Sequence, residues 1–168
     1  VDPINPDVLP QAAALAREVG LDPADFDTAA GRLRTDAHMR IHLARALARQ
    51  WGTGDEIVVT ELDHHGNVDP WRHAAQDFGL TVRTVPLAGD GVSLDMEAPA
   101  AMLTPRTRLL AIGAASNAIG TVSDVAAAAR LAKAAGALVF VDAVHYAPHG
   151  LVEHEGRLCV RYYKRHDG

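Results

Sequence analysis

From residue 55 to residue 164 the chain alternates short apolar runs with helix-like stretches, and this alternation limits its folding options more than any other feature. "DEIVVTEL", "LTVRTVPL", "TRLLAIGAAS" and "ALVFVDA" each carry four or more apolar or β-branched residues between polar or turn residues. That is the pattern of strands buried on both faces. Between them lie "DPWRHAAQDFG", closed by Gly79, and "SDVAAAARLAKAAG", opened by Ser123 or Asp124 and closed by Gly136. "SLDMEAPAAML" reads as partly helical, "AGDG" as a turn, and "GRLCVRYYKRHDG" as a last strand ending near Lys164. Strands alternating with helices predict an α/β fold, a largely parallel sheet flanked by helices, joined by right-handed crossovers.

Ahead of this region, "TDAHMRIHLARALARQWG" predicts a helix with Met39, Ile41, Leu43, Ala46 and Leu47 on its apolar face, Thr35 or Asp36 as cap and Gly52 as stop. Residues 1–34 are expected to form an N-terminal helical segment, broken by prolines, with one short helix over 11–19. Residues 35–168 are expected to form the core domain.

The 168 residues suffice for one domain with a real core, and a net charge of -5 disfavours nucleic acid or an anionic membrane as partner. No apolar run has the length of a membrane span, and "VDPINPDVLP" does not read as a secretory signal. A single cysteine, Cys159, fits a reducing cytoplasm.

In a parallel sheet ligands bind beyond the carboxyl ends of the strands. The residues found there are "ELDHHGNVDPW", "SNAIGT", Asp142 with "AVHYAPH", and Lys164. An ionised carboxylate at the lip of an apolar layer is costly unless a cation or a donor meets it. Asp142 is therefore either a cap or loop acceptor, or the partner of a cationic ligand nitrogen such as that of a protonated pyridine. His64 and His65 are loop residues bonded to backbone, or an imidazole that stacks on an aromatic ligand and moves protons. Asn117 is a turn residue or a donor to a ligand oxygen, and Gly120 and Thr121 allow backbone to approach a ligand. Lys164 is a solvated cation or, in a dry or cationic pocket, a nucleophile toward a carbonyl. It is one of two lysines, the other being Lys133.

"GDEIVVTELDHHGNVDPW", "LLAIGAASNAIGTVSDV" and "VFVDAVHYAPHGLV", in this order, resemble the class V aminotransferases, the cysteine desulfurase-like branch of the fold-type-I pyridoxal-phosphate enzymes. The resemblance spans roughly residues 36–152. It implies the large domain of that fold, pyridoxal 5'-phosphate as cofactor, a small amino acid as substrate and a homodimer. It also implies a role for each matching residue. His64 stacks on the pyridoxal ring. Asn117 lies near the phenolic oxygen and the substrate carboxylate, with His145 close to the same oxygen. Asp142 pairs with the pyridine nitrogen. Lys164 is the Schiff-base lysine. Transamination, sulfur removal, racemisation and β-elimination all share this core.

The likeness is incomplete in places. "GRLRTDAH" stands where a glycine- or small-residue-rich phosphate loop is expected, Tyr163 precedes the lysine, and no C-terminal small domain is expected. Cys159 lies inside the last strand and reads as a core residue rather than a desulfurase nucleophile. Two other readings stay open: a non-catalytic remnant or binding module whose phosphate site is lost, and a metal-dependent hydrolase using His64, His65, Asp142, His145 and His149.

Overall fold

A computed structural model describes residues 26–27, 32–33, 37–146 and 158–161, with side chains from 41 to 146. Its main sheet has five strands: β3 (Glu56–Thr60), β4 (Thr81–Val85), β5 (Thr107–Gly113), β6 (Leu138–Asp142) and β7 (Leu158–Arg161). Their order across the sheet is β4-β3-β5-β6-β7, and every neighbouring pair is parallel. Four helices are described: α1 (Ala37–Ala48), α2 (His65–Phe78), α3 (Ala98–Met102) and α4 (Val125–Ala134). In the segment expected to be helical, β1 (Phe26–Asp27) and β2 (Arg32–Leu33) form a two-residue antiparallel ladder. The short helix expected over 11–19 and the cap at Thr35 or Asp36 lie outside the described residues and side chains.

The strands are apolar throughout because both faces of the sheet are covered. Val58, Leu110, Ile112, Val139 and Val141 pack with Ala128 and Ala132 of α4. Ile57, Val59, Leu109, Ala111 and Phe140 pack on the other face with Ala44 and Ala48 of α1 and with Trp71, Ala74 and Ala75 of α2. Successive residues thus alternate between two cores, as the period of two requires. Trp71 meets Phe140 edge-on, with ring centroids 5.3 Å apart and planes at 67°, which anchors α2 over β6.

The helix ends follow local chemistry. Asp124 accepts from the N–H of Ala127 at 2.8 Å, so it caps α4, and Gly136 just beyond has φ 79°. Gly79 closes α2 at φ 68°, where its N–H reaches the carbonyl of Ala75. α2 begins at His65, ahead of the expected start at Asp69, and so contains Pro70. The reason is its first turn. The His64 carbonyl accepts from Asn67 at 2.8 Å and its ring Nδ1 from Gly66 at 2.9 Å. Pro70 sacrifices one helical hydrogen bond, which a good cap and a buried Trp71 offset.

The topology creates a crevice. From β3 the chain enters α2 on one face. From β5 it runs into α4 on the opposite face. The adjacent strands β3 and β5 therefore send their following segments apart at their carboxyl ends, the switch point where open parallel sheets bind ligands.

Candidate functional site

Asp63 lies in this crevice. It follows β3 by three positions, and its Oδ2 accepts from Asn67 Nδ2 at 3.1 Å. The backbone N–H of Gly113, the last residue of β5, also donates to it. A Cβ built on Gly113 would overlap Asp63 Oδ1, so only glycine admits the carboxylate so close to the strand. Asn67 is 1% exposed, and its Oδ1 has no hydrogen-bond partner. The amide is turned toward Asp63 although this leaves a buried acceptor unmet.

Asp142 closes β6 opposite Gly113 in register. The period of two puts it on the Phe140 face, which α2 covers. Its Oδ1 accepts from the N–H of Val144 at 3.1 Å, which is the loop-acceptor role expected for it. Burial pushes the Asp63 carboxyl up to about 6. The negative charge of Asp142 pushes the same way, while the neighbouring Thr60 hydroxyl, then the Asn67 amide and the Gly113 N–H, oppose it. A buried carboxylate whose proton affinity is raised beside a second carboxylate at the lip of a sheet favours a cation there.

The other expected site residues divide into three groups. His64 caps α2 beside Asp63, is exposed, accepts from Gly66 at Nδ1 and meets the ring of His65 edge-on at 6.4 Å. His65 is also exposed, with Nδ1 3.6 Å from Asp69, one turn along α2. Asn117 is exposed in a loop after β5, folded by the Ser116–Thr121 and Gly120–Ser116 backbone bonds and by φ 76° at Gly120. His145 is exposed in the turn after Asp142. His64, Asn117, Asp142 and His145 thus all follow the carboxyl ends of adjacent strands β3, β5 and β6. Lys164 lies outside the described residues. β7, the strand that leads to it, ends at Arg161 opposite Asp142. Cys159 pairs in register with Phe140 inside the sheet and not in a rim loop. His149 also lies outside the described residues. Among those described, no group of three or more His, Cys, Asp or Glu is placed to hold a metal ion.

Asp63 and Asn67 are the site residues that sequence reading passed over. The available clue was position: Asp63 directly follows a strand and precedes the paired histidines.

A family model described as "Aminotransferase class-V" matches residues 37–156. The chain belongs to the class V aminotransferase family. Enzymes of this family depend on pyridoxal phosphate. The chain is 42% identical over 106 residues to a cysteine desulfurase of Pectobacterium atrosepticum, which is 63% of this chain and 26% of that protein. It is 40% identical over 109 residues to one from Yersinia pestis, 65% of this chain and 27% of that protein. The chain thus spans about a quarter of the length of these relatives. Among solved structures, the apo cysteine desulfurase of Thermococcus onnurineus aligns with TM-score 0.62 and 25% identity, over 84% of this chain and 34% of that one. A cysteine desulfurase of Escherichia coli aligns with TM-score 0.58 and 24% identity, over 87% and 44%, a likeness of fold.

The described residues fit the family cofactor at its pyridine end. Asp142 and Asp63 make an anionic lip suited to a protonated ring nitrogen. The segment 31–36, where phosphate would be met, and Lys164 lie outside the described side chains.

Proposed function

We propose that the chain forms the cofactor-binding core of a pyridoxal-phosphate-dependent enzyme of the cysteine desulfurase-like branch, acting on a small amino acid. The observation that carries this reading is the placement of Asp142 at the end of β6, beside a second carboxylate and in the crevice between oppositely connected strands. The cofactor, when bound, supplies the electron sink for bond cleavage at the α-carbon of an amino acid.

The residues of the chain do the rest. Asp142 accepts the ring-nitrogen N–H and keeps that nitrogen protonated. His64 covers one ring face, its orientation fixed by the bond from Gly66 to Nδ1. Asn117 donates toward the phenolic oxygen, and His145 stands near the same oxygen. Lys164 binds the cofactor covalently and carries the proton to and from the substrate α-carbon. Cys159 takes no part, because its strand position suits packing.

The functional unit is a homodimer. Ile119 and Val122, 51% and 60% exposed on the loop that bears Asn117, give a partner subunit an apolar surface beside the site. No helix among the described residues is long and apolar enough to cross a membrane, and a cytoplasmic setting suits the single cysteine.

An absorbance titration with pyridoxal phosphate, followed by borohydride reduction and peptide mapping, tests this reading. A visible band lost in Lys164→Ala, with the reduced label on Lys164, is expected. A label on Lys133, or no band at all, would overturn it.

A further inference from the structure

We infer that Asp63 is a positioning residue for the ring site: it braces the His64 turn against β5 and places a second negative charge behind Asp142, so that the lip takes a cationic ring in preference to a neutral one. This rests on the pyridoxal-phosphate reading above and assigns to it a residue that has no place in the expected site.

Three observations support the assignment. First, Asp63 joins two elements: its hydrogen bonds run to the first turn of α2 through Asn67 and to the end of β5 through Gly113. His64, the next residue, is held by that brace. Second, Gly113 leaves no room for a Cβ beside Asp63, so the carboxylate occupies a slot cut to its size. Third, Asn67 directs its amide at Asp63 and leaves its own buried Oδ1 without a partner, a local cost with no return in packing. A structural carboxylate at this depth would ordinarily be met by a cation, as Asp55 is by Arg108 in the same sheet. Among the described residues, the ionisable groups at this end are Glu61 after β3, Asp142 on β6, His64 and His65 at the start of α2, Asp69 one turn further, His145 and Tyr146 after β6, and Arg161, which ends β7 in register with Asp142. The charge that acts on Asp63 is that of Asp142.

Charge linkage then gives the behaviour. Without a cation, Asp63 holds its proton up to about pH 6. A ring carrying a positive charge at Asp142 lowers the proton affinity of Asp63, so binding releases a proton from Asp63 in mildly acidic solution. If the bound-state value returns to that of an ordinary carboxylate, affinity for a cationic ring gains about tenfold between pH 5 and pH 7 from this group alone. A ring without the nitrogen gains nothing from it.

The test measures dissociation constants of pyridoxal phosphate, and of its analogue with C–H in place of the ring nitrogen, for the intact chain and for Asp63→Asn and Asp63→Glu at pH 5, 6 and 7. Both ligands carry the same phosphate, so its titration cancels. The expected result is that the Asn/wild-type ratio rises about tenfold across this range for pyridoxal phosphate and stays flat for the analogue, with Glu restoring the trend. A ratio independent of pH, or the same rise with the analogue, would overturn the inference and reduce Asp63 to a brace. Calorimetry of the unsubstituted chain at pH 6 in two buffers of different ionisation enthalpy gives a second readout that needs no variant. More proton release with pyridoxal phosphate than with the analogue supports the inference, and equal release sinks it. Failure of the unsubstituted chain to bind pyridoxal phosphate at any pH would remove the underlying reading too, and so differs from binding with a flat ratio.

Discussion

At the edge where the strands begin, Arg108 donates to both oxygens of Asp55 at 2.9 and 3.2 Å, and Glu56 accepts from Arg83 at 2.8 Å and Thr104 at 2.7 Å. At the edge where they end, Asp63 has Asp142 as its charged neighbour. One sheet therefore treats its carboxylates in opposite ways. The Arg108 guanidinium holds Asp55 below the usual carboxylate range. Glu56 is also held low, because its bonds to Thr104 and Arg83 together outweigh burial. Asp63 is pushed the other way. A register shift between Glu56 and Ile57 contributes, since Arg108 falls within it and is available to Asp55. Paired acids at one edge serve folding. Like charges at the other favour the arrival of a cation.

Exchanging the charge at the rim should break this contrast most sharply. Asp142→Asn keeps an acceptor for Val144 but removes the charge, and a pyridoxal phosphate titration should show affinity reduced about a hundredfold or more, with the melting temperature almost unchanged. Next in size is the pH dependence of stability. Asp63 has a folded value above its unfolded one, so the folded state binds more protons between about pH 4 and 6. Stability must then fall as pH rises through that window, by on the order of 2–3 kcal/mol for this group. Denaturant melts across pH 4–7 should show that fall, and Asp63→Asn should flatten it. Asp55 and Glu56 have the opposite sign: their contribution holds above the ordinary carboxylate range and disappears as pH falls below about 4. Glu56→Ala should cost about 2 kcal/mol in the same melts and leave cofactor affinity unaltered, because it orphans Arg83 and Thr104 far from the rim. The smallest effect is expected at the periphery, where Asp124→Ala removes the cap of α4 for about 1 kcal/mol without touching either edge.

The same contrast explains what the amino-acid order disclosed. Strands β3, β5 and β6 were legible because burial on both faces makes them continuously apolar, and Gly79, Gly136 and Asp124 marked helix ends by local chemistry alone. Asp142 stood out because a carboxylate terminates an apolar run. Asp63 did not, since a polar residue among histidines in a loop looks solvated; its burial depends on Gly113, which arrives two strands later. The early start of α2 was concealed by Pro70, whose helix-breaking tendency is overcome by the His64 cap and by Trp71 against Phe140. The pairing of Asp55 with Arg108 depends on a register shift that no local pattern encodes.

The protonation state of the ring nitrogen is the most direct test of the rim as a cation site. With pyridoxal phosphate labelled with nitrogen-15 in the ring and bound to the chain at mildly alkaline pH, the nuclear resonance should be that of a protonated pyridine with a bonded hydrogen, and should revert to the unprotonated position in Asp142→Asn. An unprotonated ring nitrogen in the unsubstituted chain would contradict the account.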